Sequence, residues 1–202
     1  MSEDLKPRDA DREQDLAWVG AFLEGDRTAF DRLVLRHKDR VFNLCWRLLG
    51  DREEANEQAQ EVFVRVFRSI KDFRFKSSFS TWLYAIAVNT CRNRLKSSEY
   101  RRRRRMVSID ALQDPDSDRA APELKDPSPS VLDRMTDRER DGLIQSAIDS
   151  LPEESRTIVV LRDIEGIAYE EIAAVTHLNL GTVKSRLARA RQQLRDKLKG
   201  LI

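Results

Sequence analysis

Between Ala168 and Leu194 the chain carries a short helical run, a tight connection and a longer basic helical run, and no other stretch restricts the fold as strongly. Val183, Leu187, Ala190 and Leu194 recur at helical spacing and form one apolar stripe. Away from that stripe stand Lys184, Ser185, Arg186, Arg189, Arg191 and Arg195. Arginine and lysine pair with guanine edges and with phosphates. Such cations on one helix suit a helix-turn-helix, whose second helix enters the DNA major groove. A solvated helix packed on a bundle would produce the same pattern.

Strand signals are nearly absent, and helical periodicity runs through most of the chain, so the fold class is all-α. Residues 1–14 read as a mobile tail, and a first helix from Leu16 to Glu24 stops at Gly25. A second helix carries Phe30, Leu33, Val34, His37, Val41, Leu44, Cys45 and Leu48 on its stripe and ends at Gly50. A third spans Glu53 to Lys71, and a fourth runs from Thr81 to about Arg104. In the last third, Leu143, Ile144, Ala147, Ile148 and Leu151 form another stripe. Pro152 opens the next helix in its first turn, where proline is tolerated, and Gly166 closes it.

Net charge is close to balance, but charge is segregated. Arg92 to Arg105 holds eight basic residues and one acid, Val107 to Asp137 eight acids and three basic residues, and Gly181 to Lys199 seven basic residues and one acid. The basic blocks suggest a nucleic-acid partner. The acidic block between them contains Pro115, Pro122, Pro127 and Pro129 and too little apolar content to fold alone, so it reads as a linker. The expected layout is a tail (1–14), an N-terminal helical domain (15–105), a flexible acidic linker (106–137) and a C-terminal helix-turn-helix domain (138–202).

Cys45 and Cys91 lie in apolar helical contexts and read as small buried hydrophobes. His37 and His177 lack ligand-spaced partners, so neither a metal nor a cofactor is expected. No apolar run is long enough for a signal core or a membrane span, which points to a cytoplasmic protein with no membrane insertion of its own.

On a wheel of about 100° per residue, the third helix has two faces. Ala59, Val62, Phe63, Val66, Phe67 and Ile70 gather on a core side, and Glu57, Gln60, Glu61 and Val64 on the opposite, solvent side. That second side is either a plain solvated face or a protein-docking face. Phe73, Phe75 and Phe79, interleaved with Lys76, Ser77, Ser78, Ser80 and Thr81, suit unstacked single-stranded bases. Alternatively Phe79 and Trp82 belong to the core beneath a loop.

Four segments together resemble the extracytoplasmic-function (group IV) sigma factors of bacterial RNA polymerase, minimal members of the sigma-70 family. They are Ala55-Asn-Glu-Gln-Ala-Gln-Glu-Val-Phe63; Phe79-Ser-Thr-Trp-Leu-Tyr-Ala-Ile-Ala-Val-Asn89; Leu151-Pro-Glu-Glu-Ser-Arg156 continuing to Leu161-Arg-Asp-Ile-Glu-Gly166; and Tyr169-Glu-Glu-Ile-Ala173 with Gly181-Thr-Val-Lys-Ser-Arg-Leu187 and Arg189-Ala-Arg191. The resemblance implies a dissociable promoter-specificity subunit that binds core RNA polymerase and promoter DNA and is not itself an enzyme. It makes an anti-sigma factor a further expected partner. It assigns Glu57, Gln60, Glu61 and Val64 to polymerase binding. Lys76, Ser77, Ser80, Thr81, Asn89, Arg92 and Asn93 fall where the family reads and melts the minus-ten element. Thr182, Lys184, Ser185, Arg186 and Arg189 fall where it reads the minus-35 element. The linker matches a segment threaded toward the polymerase active centre.

The chain departs from the family pattern at three places. Glu57 stands for the usual Asp. Ala168 replaces a Ser or Thr cap, at a cost of about 1 kcal/mol. His177 replaces a Gly, which incurs strain if the connection requires positive φ. Two rival readings remain: a dimeric helix-turn-helix regulator with a sensor domain, and a helical nuclease using Glu53, Glu54, Glu57 and Glu61 for metal, which would need carboxylates from a second helix.

Overall fold

The computed structural model describes residues 7–97 and 137–199, and every regular element among them is helical. The N-terminal unit contains α1 (Pro7–Leu23), α2 (Arg27–Leu49), α3 (Arg52–Ser69), a single 3₁₀ turn (Ile70–Asp72) and α4 (Phe79–Lys96). The C-terminal unit contains α5 (Asp137–Asp149), α6 (Glu153–Val159), a π-helical turn (Val160–Ile164), α7 (Tyr169–Thr176) and α8 (Leu180–Leu198). Residues 98–136, which include the expected end of the fourth helix and nearly all of the acidic linker, lie outside the described residues.

Local chemistry sets the boundaries. The Asp26 carboxylate accepts from the Thr28 amide at 2.9 Å and caps α2. The Thr28 hydroxyl also donates to it, which holds the Asp26 carboxyl below its ordinary range. Gly50 ends α2 with φ 75°, donating its N–H to the Trp46 carbonyl at 2.8 Å. Asp51 caps α3, and Ser78 caps α4 by accepting from the Thr81 amide at 3.1 Å. Pro152 sits one position earlier than expected, as the N-cap of α6. After α6 the ladder widens by one residue, so that the Glu165 amide reaches the Val160 carbonyl at 3.0 Å.

Helix α1 starts at Pro7, well before Leu16, so residues 7–14 belong to a helix rather than a tail. A polar clasp explains the difference. Asp15 is buried and binds His37 Nε2 at 2.8 Å and Arg36 Nη1 at 3.0 Å, while Arg36 also donates to the Asp11 carbonyl at 3.1 Å. These bonds hold a charged, weakly amphipathic segment against α2. His37 is accordingly a packed residue, with its ring 5.4 Å from that of Phe79.

Leu33, Val41, Leu44, Leu48, Ala55, Val62, Val66, Leu83, Ala87 and Val88 are buried where α2, α3 and α4 meet. Each fully buried leucine contributes roughly 1.5–3 kcal/mol by leaving water. Cys45 and Cys91 are free thiols in this core. A hydrogen bond with Cys45, and then burial, hold the Cys91 thiol far above its ordinary range, so it stays protonated and inert. In α5, Ala147 and Ile148 are buried together with Leu151 just beyond it, as their periodicity predicts.

The units do not stand apart. α5 and α6 pack on α2, and α7 packs on α4. Arg156 of α6 crosses the seam: it donates to the Leu48 carbonyl at 2.8 Å and, on its own side, to the Asp149 carbonyl at 2.6 Å. Gln145 reaches the Trp46 and Arg47 carbonyls at 3.4 Å, and Arg47 pairs with Asp141 at 3.0 Å. Buried cationic and amide donors thus satisfy carbonyls left open at helix C-termini.

Candidate nucleic-acid and protein interfaces

The outer face of α3 presents Glu57, Gln60 and Val64 to solvent, with Glu61 half-exposed beside them and paired with Arg65 at 2.7 Å. Val64, at 41% exposure, is an apolar spot inside an acidic and amide rim. Glu54 belongs elsewhere: it is buried and forms a two-pronged pair with Arg94 of α4 at 2.5 and 2.6 Å. That pair ties the first turn of α3 to the last turn of α4. Phe67, expected in the core, is instead 54% exposed and lies edge-on to Phe30 and tilted against Phe22 at the mouth of the α1–α2–α3 packing. No group of three or more His, Cys, Asp or Glu side chains able to hold a metal occurs among the described residues.

The loop before α4 and the helix itself split the second set of residues. Lys76, Ser77, Asn89 and Asn93 are exposed, and Ser80 and Arg92 are half-buried. Thr81 is buried: its hydroxyl contacts Ser78 Oγ and donates to Glu171 Oε1 of α7, both at 2.6 Å. Phe79 is 1% exposed and Phe73 is buried, so these rings are core, and Trp82 packs against them at 6.0 and 5.3 Å. Phe75 alone of the loop aromatics stays half-exposed, with φ 56°. A bulky residue in left-handed backbone is strained, and the Phe75 ring lies tilted 4.9 Å from that of Phe73 with its other side open to solvent. Sequence periodicity does not distinguish Phe75 from its neighbours; its backbone conformation does.

The third set lies on α8. Asn179 caps the helix by accepting from the Thr182 amide at 2.7 Å. Val183, Leu187 and Ala190 are buried against α6 and α7, and Lys184, Ser185 and Arg189 point to solvent. The turn before α8 carries His177 at φ 57°, ψ 32°, so histidine occupies the left-handed position that favours glycine. Ala168 supplies no side-chain acceptor to α7, and only the reciprocal half of the cap forms, from the Ala168 amide to Glu171 Oε2 at 3.3 Å.

Two acids were not foreseen. Glu154 of α6 pairs with Arg186, and Asp163 of the π turn takes Arg191 through both Nε (3.0 Å) and Nη2 (2.5 Å). The hydrogen bond from Arg191 to Asp163 raises the guanidinium pKa further. These partners lie in the quoted motif segments, but nothing in their spacing relates them to α8. Only the packing of α6 and the π turn against α8 does.

Comparison with known proteins matches residues 33–105 to Sigma-70 region 2 and residues 141–194 to Sigma-70, region 4. The fold and its matches therefore define a sigma-70 type protein. The RNA polymerase sigma-H factor of Pseudomonas aeruginosa is 36% identical over 191 residues, covering 95% of this chain and 97% of that protein. The extracytoplasmic-function (ECF) sigma-E factor of Escherichia coli is 36% identical over 190 residues, covering 93% and 96%. The chain belongs to the ECF sigma factors of the sigma-70 family, the promoter-recognising subunits of RNA polymerase. The same fold occurs in CnrH, solved with the cytosolic domain of CnrY (TM-score 0.61, 24% identity, 95% of this chain and 98% of that one). It also occurs in RpoE of Bartonella quintana, solved with the anti-sigma factor NepR (TM-score 0.59, 24% identity, 84% and 96%).

Proposed function

We propose that this sigma factor engages core polymerase through Glu57, Gln60, Glu61 and Val64 of α3. It captures an unstacked minus-ten strand with the pre-α4 loop and the exposed side of α4, and reads a minus-35 duplex with the N-terminal half of α8. The observation that carries the reading is the separation of three polar surfaces, each mounted on its own buried stripe. The α3 face offers carboxylates and an amide around one apolar residue, which suits a protein partner with a polar rim. Around α4, Lys76, Ser80, Asn89, Arg92 and Asn93 supply donors to phosphates and base edges, and Phe75 supplies a ring for stacking. On α8, Lys184, Arg186 and Arg189 supply the donors that guanine edges and phosphates accept.

This chain catalyses no reaction of its own in this scheme; strand opening draws on binding energy for unstacked bases. The proposed site of action is the cytoplasm, where RNA polymerase works; separately, no helix among the described residues is long and apolar enough to cross a membrane. The Bartonella quintana neighbour was solved with an anti-sigma factor and CnrH with the cytosolic domain of CnrY, which supports an anti-sigma partner for this chain too.

The test is affinity for core polymerase measured with Glu57→Lys and Gln60→Ala. Both are expected to weaken binding with helix content unchanged. Unaltered affinity in both would remove the docking assignment.

A further inference from the structure

Two carboxylates meet the arginines of α8 in different ways. Arg191, in the C-terminal half of the helix, presents Nε and Nη2 to the two oxygens of Asp163 at 3.0 and 2.5 Å. Its forked edge is therefore filled. Arg186, in the N-terminal half, meets Glu154 of α6 through Nη1. Its Nε and Nη2 edge makes no hydrogen bond among the described residues. That edge is a planar pair of donors, the shape that grips guanine O6 and N7 together.

The space around Arg186 gives Glu154 its importance. An open groove of about 480 Å³ runs between the start of α6 and α8, walled by Glu154, Ser155, Arg186, Arg189 and Gln193 among others. The groove leaves the half-buried Arg186 side chain room to change rotamer. Among the described residues, Glu154 is the one carboxylate that holds it.

Stability does not account for such a pair. Glu154 is exposed, and an exposed ion pair adds little to folding. Nor does raw affinity account for it, because a carboxylate beside a recognition helix repels the phosphates of every duplex. What remains is orientation. An arginine already held in one rotamer loses less freedom when it meets its base. An arginine kept off stray phosphates also binds wrong sequences less well, and specificity is the difference between the two affinities.

We propose that Glu154 is a specificity-determining positioning residue: it holds Arg186 with its open edge toward one guanine of the upstream duplex and keeps that arginine off neighbouring phosphates. The proposal rests on the assignment of Arg186 to the minus-35 duplex. Glu154 touches no base in this scheme and acts through Arg186. Asp163 acts differently, filling the fork of Arg191 and leaving that residue as a link between the π turn and α8.

The experiment compares Glu154→Ala, Arg186→Ala, the two together and Asp163→Asn with the wild type, each as the full chain assembled with core polymerase. The probe is a duplex promoter recovered by the wild-type holoenzyme from a random-sequence pool, together with its single-base-pair variants across the upstream element. A random-sequence duplex, titrated over a range of salt, reads binding that is blind to sequence. Thermal unfolding of each free chain checks the fold.

Glu154→Ala is expected to lose discrimination at one base pair by about two- to tenfold, the cost of fixing a long side chain that is no longer held, and to keep it elsewhere. Its affinity for random duplex should rise, with a salt dependence steeper by about one counterion, because Arg186 now reaches a phosphate. Its melting temperature should match the wild type. With Arg186→Ala already present, Glu154→Ala should alter discrimination nowhere, and Asp163→Asn alone should leave it intact. Unchanged discrimination in Glu154→Ala, or an even loss across the promoter variants, would overturn the proposal. A loss that persists without Arg186 would overturn it as well, because it would not pass through that arginine; the same loss in Asp163→Asn would mark a general charge effect. Arg186→Ala separates the two ideas. If it discriminates as the wild type does, the assignment of Arg186 to a base has failed. If it loses one position while Glu154→Ala loses none, only the positioning role has.

Discussion

Replacing Arg156 by methionine is expected to destabilise the protein by about 3–5 kcal/mol, the range for stripping one partner from a buried ion pair. The size follows from what the guanidinium touches. Its side chain is 7% exposed; it donates to the Leu48 carbonyl at 2.8 Å and the Asp149 carbonyl at 2.6 Å, and lies 3.3 Å from the Asp149 carboxylate. Methionine fills much of the same volume, so the cavity contribution is small. The loss is electrostatic: two carbonyls lose a charged donor at roughly 1.5–3 kcal/mol each before compensation. The Asp149 carboxylate, half-sheltered in the seam, loses the guanidinium 3.3 Å away and retains the Gln145 amide at 3.2 Å. For a chain of this size each kcal/mol shifts the melting temperature by roughly 2–4 °C, which gives an expected drop of about 6–20 °C. Calorimetry and urea unfolding measure this directly. Arg156→Lys should recover only a minority of the loss, because an ammonium cannot present a planar fork to two carbonyls at once. If Arg156→Met melts within about 1 kcal/mol of wild type, an amount ordinary for surface substitutions, the clasp is not what holds α6 to the end of α2.

Three further outcomes are expected. Arg186→Ala should lose discrimination at one upstream base position by roughly 1–3 kcal/mol in binding to a set of single-base promoter variants; an even loss across that set would show that Arg186 reads no base. His177→Gly should stabilise the chain by about 0.5–1 kcal/mol in urea unfolding, because glycine relieves the left-handed backbone at the cost of a more flexible unfolded chain; destabilisation would contradict the strain argument. Burial raises the Glu165 carboxyl above its ordinary value, against the Tyr84 hydrogen bond and Arg40, which lower it. The folded chain therefore binds this proton at a higher pH than the unfolded chain, and the cost of burying the ion is relieved as pH falls through the raised value toward the usual glutamate range. Glu165→Gln removes that dependence, so its stability relative to wild type should be most favourable near neutral pH and decline on acidification, and a gap that does not vary with pH would refute the assignment.

Much of the fold is legible without coordinates because helical periodicity is a local property. The stripe from Phe30 to Leu48 predicts α2, and Gly50 ends it, because an αL residue at a helix end is a one-residue requirement. The stripe Val183, Leu187, Ala190 predicts the buried side of α8 for the same reason. The wheel of α3 separates Glu57, Gln60 and Val64 from Val62 and Val66 correctly. It misplaces Phe67, because the rim of a helix packing looks apolar in sequence whether or not a neighbour reaches over it. The start of α1 escapes for the opposite reason: its partners are polar, and the Asp15 bonds to His37 and Arg36 span two helices.

What tertiary structure alone decides is which charged groups are free. Sequence places Arg186 and Arg191 on a basic helix, but Glu154 and Asp163 reach them only because α6 and the π turn pack against α8. Sequence places Thr81 beside a nucleic-acid loop, but its hydroxyl is engaged by Glu171 because α7 lies on α4. Hydrophobic spacing is written along one helix and can be read there. Ion pairing depends on a few ångströms between elements far apart in the chain, and the Coulomb energy of such a pair turns on distance and burial together. The helices and their inner faces were therefore determined by the sequence itself, while the closure of one unit on the other, and with it the state of the DNA-facing side chains, was decided only by the fold.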